Sequence, residues 1–435
     1  MTITNASLHA DTPIADRGAP FPSDLSAAIR DRFHHVDACP ITGKSRIFFE
    51  SGGGSLKLKA AIAANADISA IPDQEGRDNP ASAYLSEIIR EARAGLWDFF
   101  GATEGQVIAG ETGTELLYRF VRAVCLSRPA GPVLSSALEH PATFDSARQW
   151  AERTGRQWID VGLDAQTGVV TPDHYAAAVT PDTCLATIVH TSPLTGMRVD
   201  LPAIVSAIRA VAPDCFIVID GIQHAPHGAL DVAASGADAY VFSPYKTYSR
   251  VSAGFAWMAD RLIALPHERM LGAPESLWEF GTRDMGMHAA QSAVIAYFEW
   301  LAEQVGPVAT DRRARLLAAG AAMAGHERAL IHCLMHGDGE HAGLADIPAV
   351  RLIGPMDSPA REGIVSFTVD GLSAPDVVAQ LAEHGIRIHA RKNDAYSGHL
   401  LNALGMQDCV RVSLCHYNTA EEVSALLGAM VTIVR

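Results

Sequence analysis

The chain has 435 residues, of which 48% are apolar and 19% charged, a balance that suits a folded globular protein rather than a disordered one. With 34 Lys and Arg against 49 Asp and Glu the formal net charge is −15, and no basic run interrupts it. That excludes the usual footprint of nucleic-acid or anionic-membrane binding.

The opening stretch, MTITNASLHADTPIADRG, has no basic leader and no apolar core, so it reads as a loose arm rather than a signal peptide. No apolar run approaches the roughly 20 residues of a membrane span. The seven cysteines, at 39, 125, 184, 215, 333, 409 and 415, are scattered and never CxxC. Such usage points to a reducing, cytoplasmic setting and away from a disulfide framework or a Cys-based metal site.

In AYLSEIIREARAGLWDFFG, Leu85, Ile88, Ile89, Ala92, Leu96 and Phe99 recur at helical spacing before Gly101. The turn GETGTE leads into a second helix, ELLYRFVRAV. Elements then alternate: PVLSS a strand, ATFDSARQWAERTG a helix, CLATIVHTS a strand, LPAIVSAIRAVA a helix, CFIVID and AYVFS continuous apolar strands. Short apolar strands between amphipathic helices predict an α/β fold with a mainly parallel sheet covered on both faces. Right-handed crossovers place the carboxyl ends of such strands along one edge, where ligands bind.

Beyond about residue 300, GIVSFTVDG and VRVSLC read as strands. SAPDVVAQLAEHG and TAEEVSALLGAM read as helices with capping signals at Ser373 and Thr419. These predict a smaller α+β domain. The expected division is an arm over 1–50 packing with the small domain, a large domain over 51–298 and the small domain over 299–435. HCLMHGDGEHAGLADIP between them reads as surface loop. Its His336, Asp338, Glu340 and His341 offer metal-ligand types, but the glycines and polarity favour an exposed loop, and no metal is expected.

The chemistry gathers at strand ends. Asp220 closes CFIVID, Gln223 and His224 follow it, and Lys246 follows AYVFS. A partly desolvated lysine loses its proton readily and can form a Schiff base with an aldehyde. A carboxylate facing a pyridine nitrogen keeps that nitrogen protonated. Pyridoxal 5'-phosphate (PLP) asks for these two things. Thr112, Gly113 and Thr114 open a helix whose free N–H groups suit a phosphate, Ser243 adds a hydroxyl, and His140 stands where it can stack on a ring. Each residue alone has a plainer reading as cap, solvated charge or structural histidine; their order and spacing carry the case.

Taken together, EHPATFDSA, HTSPLTG, VIDGIQHAPHGALDV, FSPYK, EFGT and VRVSLCHYNTAEEV resemble the class V aminotransferase family, and the likeness runs from RIFFESGGG almost to the C-terminus. The resemblance implies a fold type I PLP enzyme. It implies that Lys246 forms the Schiff base, Asp220 meets the pyridine nitrogen, Gln223 the ring hydroxyl and His140 the ring face. Thr112, Gly113, Thr114 and Ser243 would hold the phosphate. Gly281 and Thr282 match a segment lent to the neighbouring subunit, which implies a homodimer, and Arg411 matches the clamp for the substrate carboxylate. Arg46, His34, His35, the SGGGS turn, the IPDQEGRDNP loop and the 389–399 loop are expected around the substrate, where Arg77, Arg391 and Lys392 read either as partners for an acidic substrate group or as exposed charges.

Three positions depart from the family. Tyr245 replaces a histidine before the lysine, and Pro193 replaces an asparagine. The loop IHARKNDAYSGHLLNALGMQD also lacks the mobile cysteine of cysteine desulfurases, while Cys409 and Cys415 read as packing residues. The resulting expectation is an amino-acid enzyme starting from removal of the α-proton by Lys246. Desulfurase-like β- or γ-elimination is placed first, then transamination, then epimerisation with Tyr245 or a histidine as second acid. A PLP-binding protein without turnover is the reading from another class.

Overall fold

The computed structural model describes residues 17–307 and 309–434. The larger sheet holds seven strands: β1 (Gln106–Gly110), β2 (Val133–Ser136), β3 (Trp158–Val161), β4 (Leu185–Val189), β5 (Phe216–Asp220), β6 (Ala239–Phe242) and β7 (Gly254–Met258). Their spatial order is β1-β7-β6-β5-β4-β2-β3. All run parallel except β7, which is antiparallel to both of its neighbours.

Alternation along β5 shows why its apolar run is unbroken. Ile217 and Ile219 enter one core layer, and Phe216 and Val218 the layer on the opposite face. The first layer is covered by Leu96 and Phe99 of α1 (Pro80–Phe100). Ile204 and Ile208 of α4 (Leu201–Val211) and Val294 and Ile295 of α5 (Met285–Val305) join them. The second is covered by Leu116 and Phe120 of α2 (Gly113–Ser127) and Ala147 of α3 (Pro141–Arg153). Helix starts follow their caps. Asn79 Oδ1 accepts from the Ser82 N–H at 2.8 Å ahead of Pro80, and Gly101 ends α1 in the left-handed conformation, φ 66°.

The second sheet is antiparallel, with order β10-β11-β9-β8 for β8 (Val350–Ile353), β9 (Ile364–Val369), β10 (His389–Lys392) and β11 (Asp408–Ser413). Val365, Phe367, Val410 and Val412 face a core completed by α7 (Ala374–Glu383) and α8 (Ala420–Ile433). Both expected caps form, with Ser373 receiving the Asp376 N–H and Thr419 and Glu422 closing a capping box.

Two stretches read as loop from sequence are regular. The helix α6 (Arg312–His336) continues through HCLMH because Leu334 and Met335 are buried against the second core. HARK is a strand because it pairs in register with β11. The first sixteen residues of the expected arm lie outside the described residues. Its remainder docks by specific bonds. The Phe21 N–H donates to His326 Nδ1 at 2.8 Å, Arg30 reaches Glu422 at 2.9 Å, and Ile47–Phe48 pairs in parallel with Ile386–Arg387. Among the described residues no helix is long and apolar enough to cross a membrane.

Candidate active site

β4, β5 and β6 end side by side, and a cavity of about 210 Å³ opens beyond their carboxyl ends. Asp220 is the last residue of β5 and lies buried, its Oδ1 accepting the Ile222 N–H at 3.0 Å. Lys246 reaches the cavity from the turn after β6, and its Nζ donates to Gln223 Oε1 at 3.0 Å. Burial pushes the Asp220 carboxyl up, against the Ile222 bond and the lysine charge. Burial and then the nearby Arg411 push the Lys246 ammonium well down, with Asp220 opposing. The pair is therefore poised near neutrality, where a lysine can act as nucleophile or base.

Thr112 and Thr114 line the cavity with Ser243. Thr112 caps α2, its Oγ1 accepting from the Glu115 N–H at 3.0 Å. A Cβ at Gly113 would lie 2.4 Å from Ser243 Oγ, so only glycine brings the helix start this close to that hydroxyl. His140 caps α3, its Nδ1 accepting the Ala142 N–H at 3.1 Å. Burial and then the Lys246 charge drive its pKa down to about 3, so the ring stays neutral.

Arg411 projects from β11. It is buried, its Nη1 donates to the Pro193 carbonyl at 3.0 Å, and its Nε has no partner among the described residues. The SGGGS turn makes room for it: a Cβ on Gly52 would lie 3.3 Å from the guanidinium carbon. Tyr245 also lines the cavity, and its carbonyl receives Lys57 Nζ at 2.6 Å.

The Aminotransferase class-V profile matches residues 47–426. The chain belongs to the class V aminotransferase family. Family members use PLP, and the residues around the cavity fit that group. They supply a buried lysine of lowered pKa, a carboxylic acid, a neutral imidazole, and hydroxyls beside the open helix N-terminus. A probable cysteine desulfurase of Pseudomonas putida is 31% identical over 68% of this chain and 69% of its own. The aminotransferase-like protein FGM3 of Gibberella zeae is 26% identical over 90% and 95%. In structure, the apo cysteine desulfurase of Thermococcus onnurineus matches with a TM-score of 0.77 at 20% identity, covering 93% of this chain and 98% of that one.

The structure brings most of the residues named from sequence into one place and leaves others out. Thr112, Thr114, His140, Asp220, Gln223, Ser243, Tyr245 and Lys246 line the cavity, with Gly113 packed against Ser243 and Arg411 bonded to the carbonyl of Pro193 in the same lining. Arg46 does not line it; its Nη2 donates to the His35 carbonyl at 2.9 Å and its guanidinium lies over Phe48. Arg77 is exposed and bonds Gln74. Gly281 and Thr282 are exposed and outside the lining in this chain. Pro193 supplies a carbonyl for Arg411 where the family offers an asparagine side chain.

No cysteine lines the cavity. Cys409 and Cys415 are fully buried, and burial raises the Cys409 thiol to about 12. In the loop 337–341, Asp338 accepts the Glu340 and His341 N–H groups, and His336 pairs with Asp357 at 2.7 Å.

Two features escaped the sequence reading. The sequence names Arg391 but not its burial, and it names neither Val189 nor Thr191, which contribute to the lining. Only the pairing of β10 with β11 could have exposed Arg391, and HARK carries no apolar alternation to signal it.

Proposed function

We propose that this chain is a desulfurase-like lyase of amino acids that removes the α-proton and expels a side-chain substituent, without storing sulfur on a cysteine of its own. One observation carries the reading: Lys246, Gln223 and Asp220 share a cavity that no thiol lines among the described residues, and the buried Arg411 bonds Pro193 of that lining with its Nε left unpartnered.

In this reading Lys246 anchors PLP, Asp220 holds its ring nitrogen, Gln223 its ring hydroxyl and His140 its face. Thr112, Gly113, Thr114 and Ser243 hold the phosphate. The bound cofactor supplies an electron sink for the pair released at Cα. Arg411 grips the α-carboxylate through its planar fork, which orients the substrate. Lys246 Nζ, with its lowered pKa, takes the α-proton. The substituent departs with the electrons of its own bond and is protonated. The remaining unsaturated amine takes up water to give a keto acid and ammonia, which balances the reaction.

Transamination is the second reading, favoured by the likeness to an aminotransferase-like protein over nearly the whole chain. Purified protein incubated with a panel of amino acids and no keto-acid acceptor separates the two. Sustained ammonia release establishes the lyase. Turnover only after an α-keto acid is added establishes the aminotransferase.

Further parts of the reading have their own supports. The division 1–50, 51–298 and 299–435 is supported by a core of its own for the second sheet, while Phe33 of the arm and Leu316 and Met323 of α6 pack into the core of the first. A homodimer is supported by exposed Gly281 and Thr282, and a cytoplasmic setting by seven free cysteines.

A further inference from the structure

Two adjacent strands place two buried arginines on one face. In the β10–β11 register His389 pairs with Arg411 and Arg391 with Cys409. Side chains alternate along a strand, so these four share the face opposite Ala390 and Val410, whose side chains pack into or against the second core. Arg391 is 8% exposed and Arg411 2%.

Neither guanidinium has an acidic partner within ion-pair distance among the described residues. Arg391 Nε and Nη2, and Arg411 Nε, have no hydrogen-bond partner there. The nearby anions are otherwise engaged. Glu50 is held by Arg387 and by His389 at 3.2 Å. Asp394 Oδ1 accepts the Tyr396 and Ser397 N–H groups. The Cys409 thiol stays protonated.

Buried, unpaired guanidiniums with orphaned donors are costly unless a ligand completes them. The charge of Arg391 is felt at His140, Lys246, His399 and Arg411, of which His140 and Lys246 line the cavity. One α-carboxylate answers one arginine and leaves the second cation unmatched.

We infer that Arg391 is a specificity-determining residue that binds a second anionic group, so that the substrate is an amino acid with a short acidic side chain. This rests on the proposed amino-acid chemistry and adds the substrate class. An apolar or neutral side chain would leave Arg391 buried without an anion, which disfavours such substrates.

Calorimetric titration of the holoprotein with two unreactive probes tests this. Succinate is a dianion, and butyrate is a monoanion of the same chain length. Wild-type protein is expected to bind succinate about tenfold to a hundredfold more tightly than butyrate, as charge-assisted bonds to a buried guanidinium predict. Arg391→Gln is expected to remove that preference while keeping the cofactor's visible absorption, and Arg391→Lys to restore part of it. Equal affinities in wild type, or a preference that survives in Arg391→Gln, would overturn the inference. If Arg391→Gln does not fold, the wild-type ratio and the Lys variant decide. Wild-type protein that binds no PLP would sink the proposed function instead, and the probe ratio would still be readable on it.

Discussion

Lys246 and His140 are tuned in the same direction by the same cause. Burial removes water from both, and the positive charges around them disfavour a further proton. The lysine is left able to act as base, and the imidazole is left a flat neutral ring. Lys246→Ala is expected to abolish the visible absorption of bound PLP and all turnover, and a variant that kept the band would remove the basis of the site. Glu139, beside His140, is a second buried acid. Burial raises its pKa from 4.5 to about 7, against the bond its Oε1 accepts from the Ser136 N–H at 2.8 Å. A carboxyl with a raised folded-state pKa favours the fold while protonated, so stability declines as pH rises from 4.5 through about 7. Glu139→Gln is expected to be close to wild type at pH 4.5 and to exceed it by about 3 kcal/mol above pH 7. Denaturant unfolding at the two pH values reads the difference, and a constant offset at both would contradict the assignment.

At the scale of elements, the site depends on how tightly α2 approaches the turn after β6. Gly113→Ala would put a methyl 2.4 Å from Ser243 Oγ and 2.7 Å from Ile222 Cδ1, so the helix start must retreat. The expected outcome is a PLP affinity lower by about tenfold or more, with unfolding shifted little, because the helix gains propensity as it loses position. Absorbance titration of the apoprotein measures it; unchanged affinity would place the phosphate elsewhere. These elements were legible because β5 and β6 are unbroken apolar runs ending in polar residues, and because α1, α7 and α8 carry caps with local chemistry. Non-local pairing was not legible. GFAWM became β7, antiparallel within a parallel sheet, and Pro244 and the serines between β6 and β7 do not by themselves fix the direction of the next strand. HARK became β10 only through its partner strand, so the sequence left Arg391 open between a substrate contact and an exposed charge. The end of α6 was hidden because Gly337 and its polar followers drew attention past Leu334 and Met335, whose burial extends the helix.

At the scale of the whole molecule, the cavity is lined from the large sheet and its turns, and the small sheet brings Arg411 against that lining at Pro193. Lys246 and Asp220 come from the large one and Arg411 from the small one, with the SGGGS turn between them. A second copy is the remaining contributor in the proposed reading, because Gly281 and Thr282 lie exposed and away from their own cavity. A closed two-fold dimer would exchange these segments reciprocally. Complementation then follows from geometry. A Lys246→Ala subunit keeps its Thr282, and a Thr282→Glu subunit keeps its Lys246. Each homodimer is inactive, the second because a carboxylate would repel the phosphate. In the mixed dimer one site joins an intact lysine to an intact threonine, and the other joins both defects. Random re-association should therefore restore roughly one quarter of wild-type activity, since half the dimers are mixed and each holds one working site of two. Activity of separately purified and then co-refolded subunits measures this. No recovery, with mixed dimers demonstrated by differential tagging, would show that Thr282 does not serve the neighbouring site.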